Sequence, residues 1–351
     1  MAELIQLAAR PGWQLVVVAQ APALQILQRH GHDCLPVLLP PVKGASDAAA
    51  MLSTARDILS AERPDIIIAG LSSPGDGGID EALLAVRNVP ALLMQDFWGE
   101  QNTYFGRGAD GFLALDAFAQ AMNLARHNKP SFVVGSPRHA RLAELDIAGE
   151  RREIRRQLNT ADGQLVFGWF GQSLHHLTGY QKSLADWIAA IRAMGGCQVL
   201  YKPHPREDMA ARQQTSALFD AAGLPHQTLS GWSIEQALLA CDVATSILSN
   251  CLYDAAYLNH FSADPLITPV AWLAEPDIRN FFNAVVPANE LPYATADLAL
   301  MVRDHKDVAR FISTATKPST RDRIWQAAKV SLADPRAATD RVAAAILAMI
   351  G

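Results

Sequence analysis

Short apolar runs recur along this chain, and segments of helical length separate them. Runs rich in Val, Ile and Leu, without polar alternation, are typical of strands buried on both faces of a sheet. The predicted strands are Gln14–Ala19, Cys34–Leu39, Pro64–Ala69, Pro90–Gln95, Gly111–Leu115, Ser131–Gly135, Leu165–Phe170, Gln198–Lys202, His226–Leu229, Asp242–Thr245 and Pro265–Thr268. Strands that alternate with helices form βαβ units, so the pattern predicts parallel sheets covered by helices on both faces.

A polar, charged stretch interrupts this alternation between Arg138 and Asp162. With 351 residues, half of them hydrophobic, the chain is long enough for two domains. We therefore predict an α/β protein with two Rossmann-like parallel-sheet domains, over residues 1–145 and 160–335. A last helix, within residues 336–351, is expected to pack back toward the N-terminal domain. Two further tail helices are predicted over Ala296–Ser313 and Ser319–Ala333.

Charge and composition exclude several classes of function. A formal net charge of -5 and the lack of a long basic stripe argue against a nucleic-acid-binding protein. No signal peptide and no apolar run long enough to span a membrane is evident, so a cytoplasmic location is expected. The four cysteines lie far apart, which is typical of reduced thiols and predicts neither a disulfide nor a metal site.

The most distinctive stretch follows the predicted strand Gln198–Lys202, where two prolines bracket His204. Proline fixes its own φ angle and lacks an N–H donor, so the imidazole is held on a stiff, extended segment. Lys202 and Arg206 place two cations beside it. The carboxyl ends of parallel strands are where open α/β sheets bind their ligands, so this segment is a candidate anion site.

Two other strand exits in the second half have a similar character. One is Gly171, Gln172 and Ser173, and the other runs from Ser246, the predicted start of a helix, to Ser249 and Asn250. Hydroxyl groups and main-chain N–H groups at the start of a helix can hold a phosphate. The sequence therefore predicts a phosphate site shared by three strand exits.

With these motifs the chain resembles the GT-B glycosyltransferases, in which two Rossmann-like domains face a central cleft. The segment around His204 is similar to the His-Pro element of bacterial sialyl- and polysialyltransferases and of capsule- and teichoic-type glycerophosphotransferases. The resemblance implies that His204 stabilises the leaving phosphate and that Ser246 or Ser249 holds the donor phosphate. The segment Val133–Pro137 resembles the sequence that closes the first domain in several such families.

A transferase of this kind needs a base for the acceptor hydroxyl. The acidic-acidic-Gly element of the sialyltransferases is not found in the sequence, and the loop after the strand Pro90–Gln95 supplies the candidates instead. Asp96 is the first choice and Glu100 the second, with Trp98 and Tyr104 as aromatic platforms for a sugar. The alternative is that Asp96 caps a turn and that Trp98 packs between the domains.

Two other polar segments, one rich in arginine and one rich in glycine, are not assigned to the phosphate site. Arg151, Arg152, Arg155 and Arg156 are expected to form a solvated helix face, or alternatively to dock an anionic acceptor or make a peripheral contact with a membrane surface. The glycine-rich loop from Ser72 to Gly78 lacks the residues of a phosphate-binding P-loop and is expected to be a flexible cleft loop.

The expected function is that of an inverting glycosyltransferase without a metal ion or other cofactor. Its partners would be a nucleotide-sugar donor and a glycan, lipid-linked or protein acceptor, with Lys202 assisting His204 at the departing phosphate. Two alternatives stay open. One is a nucleotide-sugar hydrolase or 2-epimerase of the same fold, and the other is a non-catalytic binding protein of GT-B type.

Overall fold

A computed structural model describes residues 2–43, 45–72, 75–286 and 291–351. It divides into two compact units, one of residues 1–140 with 333–351 and one of residues 141–332. The sequence predicts domains over residues 1–145 and 160–335, and the division after Ala140 falls within the polar stretch Arg138–Asp162. Ser73 and Pro74 of the glycine-rich loop lie outside the described part, so the expectation for that loop stays a prediction.

The first unit, called unit 1, contains two parallel sheets. A two-stranded sheet pairs β1 with β2, and a four-stranded sheet has the order β3-β4-β5-β6. The elements are β1 Val18–Gln20, α1 Ala23–Arg29, β2 Leu35–Val37, α2 Ala45–Glu62, β3 Ile67–Ala69, α3 Ile79–Val86, β4 Ala91–Met94, β5 Gly111–Ala114, α4 Ala117–His127 and β6 Ser131–Val133. β4 and β5 are buried along their whole length, as expected for central strands covered on both faces.

Both ends of the chain contribute to the core of unit 1. The N-terminal 3₁₀ helix Ala2–Ala9 places Leu4 and Leu7 against the four-stranded sheet. The last helix of the chain, Ala338–Ile350, packs Val342 and Ile346 into the same cluster. Arg341 on that helix donates a hydrogen bond to the Val134 carbonyl group at 2.9 Å. The C-terminal segment is therefore part of unit 1.

The second unit, called unit 2, holds one six-stranded sheet in which every pair of neighbouring strands is parallel. Its elements are α5 Ile147–Gln157, β7 Val166–Phe170, α6 Thr178–Met194, β8 Gln198–Lys202, α7 Met209–Ala221, β9 Gln227–Thr228, α8 Ile234–Ala240, β10 Val243–Ser246, α9 Cys251–Phe261, β11 Thr268–Trp272, α10 Pro276–Val285, α11 Pro292–Thr295, β12 Leu300–Val302, α12 Val308–Ala315 and α13 Pro318–Ser331. The C-terminal helix of unit 1 is α14, Ala338–Ile350.

The strand order of unit 2 determines where a ligand can bind. Across the sheet the strands run β12-β11-β10-β7-β8-β9, which is the Rossmann order 3-2-1-4-5-6 read from the β9 edge. After β7 the chain adds β8 and β9 toward one edge of the sheet, and after β10 it adds β11 and β12 toward the other edge. The two strands are neighbours, and their carboxyl ends form the switch point at which such sheets bind ligands.

Several predicted elements of unit 2 were wrong. Leu300–Val302 is a strand, β12, where the sequence predicted a continuous helix from Ala296 to Ser313. Ser246 ends strand β10 and does not begin the next helix, which starts at Cys251 after Asn250 as N-cap. Helix α10 was not predicted. These errors arise where an element is short or where its apolar residues lack a clear period.

The prediction of a fully solvated arginine face on α5 was wrong for two of its four residues. Arg151 and Arg155 turn inward and both pair with Asp242, which is 4% exposed at the start of β10. Arg151 also donates to the Leu239 and Cys241 carbonyl groups at 2.6 and 2.7 Å. Arg156 lies outside, paired with Glu153. Residues four apart share one helix face, so one buried aspartate is sufficient to turn this pair inward.

Candidate active site

Hydrogen bonds connect the exits of β7, β8 and β10 into one polar edge of unit 2. The Gly171 N–H after β7 donates to the Lys202 carbonyl group at the end of β8, at 2.9 Å. The Gln172 side-chain oxygen accepts from the Leu248 N–H after β10, at 3.0 Å, and so spans the switch point. The segments predicted to form a phosphate site therefore lie at one sheet edge and support one another.

His204 is half-buried on the segment that follows β8, and its ring orientation is fixed. The Arg206 N–H donates to His204 Nδ1 at 3.1 Å, so Nδ1 carries the lone pair and the proton of the neutral ring lies on Nε2. Burial and the charge of Arg206 both lower the pKa of His204, which favours this neutral form. The ring thus offers an Nε2–H donor to an anion.

Glu207, for which the sequence predicted no role, binds the main chain of this segment. Its side chain is completely buried, and Oε2 accepts a hydrogen bond from the His204 N–H. Burial raises the pKa of Glu207 to about 7, against the lowering effect of the His204 N–H, the Tyr201 hydroxyl and Arg212. An added Cβ at Gly171 would lie 2.5 Å from Glu207 Oε2, so this glycine leaves room for the carboxylate.

The serines after β10 have different roles. Ser246 is fully buried, and its hydroxyl donates to the Phe170 carbonyl group at 2.7 Å. This bond ties β10 to β7 and directs the hydroxyl away from a ligand. Ser249 and Asn250 are half-buried at the start of α9, and Ser249 Oγ accepts from the Cys251 N–H at 3.2 Å. The Ser249 hydroxyl proton is left to donate to an anion, so Ser249 fits the phosphate role better than Ser246.

Of the remaining predicted site residues of unit 2, two make hydrogen bonds within the fold and one is exposed to solvent. The Lys202 ammonium group donates to the Leu229 carbonyl group after β9, at 3.1 Å, and burial is the main cause of its lowered pKa. It thus contacts the side of β8 away from the switch point. Gln172 is held by the Tyr180 hydroxyl, which accepts from the Gln172 N–H at 3.0 Å. Ser173 is exposed to solvent.

In unit 1, the candidate bases follow β4. Asp96 is exposed and Glu100 half-buried, and the Glu100 carbonyl group accepts a hydrogen bond from the Gln95 side chain at 3.0 Å. Trp98 is 0% exposed, and its indole N–H donates to Asp116 at 2.9 Å. Trp98 is therefore buried, which does not favour its predicted role as an exposed platform for a sugar. Tyr104 packs edge-on against Phe105, with ring centroids 4.9 Å apart.

Sequence reasoning missed two carboxylates at the carboxyl edge of the unit 1 sheet. Asp116, after β5, caps α4 by accepting from the Ala119 N–H at 2.8 Å, and burial raises its pKa. Asp80, in the first turn of α3, accepts from the Gly70 N–H after β3 at 2.7 Å. Burial and the neighbouring Glu81 charge raise the pKa of Asp80 to about 6. An aspartate directly before a helical pattern was the available signal for Asp116.

Within the part of the chain that the structure describes, one group of side chains has the donor atoms for a metal ion: Asp186, Glu275 and His305. Lys182 already contacts both carboxylates, at 3.1 Å from Asp186 and 2.8 Å from Glu275. His305 contacts the same two carboxylates through its two ring nitrogens. The Lys182 ammonium group and the His305 ring already contact these carboxylates, so the group is a polar network between α6 and the exits of β11 and β12.

Similarity to known proteins is found at the level of structure. No protein-family profile and no curated protein sequence matches the chain. A UDP-GlcNAc 2-epimerase from Neisseria meningitidis, solved with UDP-GlcNAc, superimposes with a TM-score of 0.67 at 12% identity, covering 99% of this chain and 96% of that one. A glycosyltransferase from Rickettsia africae gives 0.65 at 10% identity, covering 99% and 92%.

A third solved structure, the Anabaena protein HepE in complex with UDP and glucose, gives a TM-score of 0.60 at 13% identity and covers 99% of this chain and 95% of that one. Within the described residues, no helix is both long enough and apolar enough to cross a membrane. Identities this low establish the fold alone. The prediction of two Rossmann-like, parallel-sheet domains is thereby confirmed, and the chain has a GT-B fold.

Proposed function

We propose that this protein is an inverting, metal-independent glycosyltransferase that moves a sugar from a nucleotide-activated donor to a hydroxyl group of a glycan, lipid-linked or protein acceptor. The observation that carries the proposal is the polar edge of unit 2, where the His204 Nε2–H donor sits beside a Rossmann switch point. The structural neighbours solved with UDP-GlcNAc and with UDP and glucose support a nucleotide sugar as the ligand class.

In the proposed reaction, the bond between the sugar anomeric carbon and the donor phosphate oxygen breaks as the acceptor oxygen attacks that carbon. The phosphate oxygen gains negative charge in the transition state. A donor already oriented toward that charge lowers the barrier without reorganising, and this is the role proposed for His204. The Ser249 hydroxyl and the N-terminus of α9 would hold the other phosphate oxygens, since helix N-termini favour anions.

The acceptor hydroxyl loses its proton to a base, and we assign this role to Asp96. Replacing the carboxylate by an amide in Asp96→Asn is expected to lower turnover by about a hundredfold, the low end for a general base, with nucleotide affinity unchanged. Glu100→Gln is the matched comparison on the same loop. The outcome that would assign the base to Asp80 instead is full turnover in Asp96→Asn, lost turnover in Asp80→Asn, and a wild-type turnover that rises with pH around pH 6.

A second candidate function is epimerisation or hydrolysis of a nucleotide sugar, which the Neisseria epimerase structure supports to a similar extent. The experiment that separates the two begins with thermal-shift binding of UDP, CMP, CDP and GDP, followed by incubation with the sugar of whichever nucleotide binds. We expect one nucleotide to raise the melting temperature, and its sugar to be consumed when a hydroxyl acceptor is present. Release of free sugar or of an epimer without an acceptor would identify the second function, and failure of every nucleotide to bind would contradict both.

A further inference from the structure

Hydrogen bonds fix His204 between its two neighbouring prolines. The His204 carbonyl group accepts a hydrogen bond from the Glu207 N–H at 3.0 Å. Pro203 and Pro205 have no N–H group, so the His204 N–H is the one main-chain donor between them. Glu207 Oε2 accepts the hydrogen bond from this N–H. The ring is then fixed separately, since the Arg206 N–H donates to Nδ1. Backbone and ring together determine the direction of Nε2–H.

Glu207 is an unusual residue to bury for a purely structural purpose. Its side chain is 0% exposed, yet among the described residues Oε1 has no hydrogen-bond partner, and the nearest imidazole nitrogen, His175 Nδ1, is 3.7 Å away. A buried carboxylate with one oxygen left without a donor carries a desolvation cost that an apolar side chain would not. The contact that the carboxylate makes there is the hydrogen bond from the His204 N–H to Oε2.

We propose that Glu207 is the positioning residue for His204, holding the segment between the two prolines so that His204 Nε2–H points at the departing phosphate. The proposal deepens the proposed function and rests on it. Glu207 does not touch the substrate in this scheme, because it lies beneath Gly171 and acts through the His204 main chain.

The surroundings of Glu207 also make this position responsive to pH. Burial raises the pKa of Glu207 to about 7. The proton would reside on Oε1, because Oε2 is occupied by the His204 N–H, so the positioning bond is retained in both protonation states. The titratable and charged groups that face Glu207 are His175 and Tyr180 after β7, Tyr201 on β8, His204 itself, and Asp208 and Arg212 around α7.

Two substitutions test the proposal. Glu207→Gln keeps an oxygen that can accept from the His204 N–H, whereas Glu207→Leu removes every acceptor but fills the space and is expected to fold. We expect Glu207→Gln to keep turnover, and Glu207→Leu to lose about tenfold, the value of one hydrogen bond to a charged group, with donor KM unchanged. Asp208→Asn is the control, because it removes the adjacent charge and an amide still caps α7.

A second measurement does not depend on activity. In protein labelled with ¹³C at histidine Cε1, the His204 resonance should show an additional inflection near pH 7 from Glu207, absent in Glu207→Gln, and the ring titration should shift toward that of free histidine in Glu207→Leu. An unchanged His204 titration in Glu207→Leu, or turnover equal to wild type in that variant, would overturn the positioning role. If the wild type has no transferase activity but the resonances behave as expected, the proposed function fails and the positioning role stands.

Discussion

Replacing His204 by alanine should lower turnover by about 10² to 10³, the range for loss of one donor aimed at a developing oxyanion. The affinity for the nucleotide should change little. This split is expected because the His204 Nε2–H donor strengthens its bond only as the phosphate gains charge, and an interaction made in the transition state affects kcat rather than ground-state binding. Steady-state kinetics with varied donor, together with calorimetric binding of the free nucleotide, measure the two quantities separately.

Two variants sharpen this test. His204→Gln retains an N–H donor near the position of Nε2 and should recover part of the lost turnover. His30→Ala removes an exposed imidazole from unit 1 and should leave both quantities at wild-type values. Full turnover in His204→Ala would remove the leaving-group mechanism. A loss of nucleotide affinity as large as the loss of turnover would instead assign His204 to binding alone.

The second large effect is expected for Asp242→Ala, which should destabilise unit 2 by about 3–5 kcal/mol, the value for removing one partner of a buried ion pair. Asp242 accepts hydrogen bonds from Arg151 at 2.7 Å and from the Val166 N–H at 2.9 Å, and it also pairs with Arg155. Arg321 approaches to 3.6 Å. Without the carboxylate, these arginines are left with their charges in a mostly buried site, because Arg151 and Arg155 are only 15% and 22% exposed.

Thermal unfolding followed by near-UV circular dichroism checks this expectation, and the transition of unit 2 should fall by about 10 °C. Glu153→Gln is the matched control on the same helix, since it breaks a solvent-exposed pair with Arg156 and should leave the melting temperature nearly unchanged. Equal melting temperatures for Asp242→Ala and wild type would show that the arginines reach solvent after the substitution. A loss in Glu153→Gln as large as that in Asp242→Ala would contradict the distinction between buried and exposed pairs.

Most strands of the three sheets were predictable, because central parallel strands buried on both faces carry continuous apolar runs. β12 was not, since Leu300–Val302 is three residues long and lies among alanines and leucines that also suit a helix. The start of α9 was misplaced because Ser246, a typical N-cap residue, directs its hydroxyl to Phe170 on the neighbouring strand. That partner is 76 residues away in sequence, so no local pattern could indicate it.

For the candidate site, the sequence could indicate which residues lie at strand exits but not the direction of their side chains. His204 was identified because the two prolines restrict its backbone by local chemistry. Lys202, by contrast, contacts the Leu229 carbonyl group, and Trp98 is buried against Asp116, both through tertiary contacts. Glu207 lies three residues after His204 in the sequence. The signal for its role was the His204 N–H between the two prolines, which needs a hydrogen-bond acceptor.

The placement of both chain ends in unit 1 has a practical consequence. Residues 141–332 form one uninterrupted stretch, so unit 2 can be expressed by itself without joining separate pieces of the gene. Unit 1 cannot be obtained by simple truncation, because removing the last helix would take Val342 and Ile346 out of its core. A series of deletions from the C-terminus would therefore damage unit 1, most of which lies at the other end of the sequence, before it reaches unit 2.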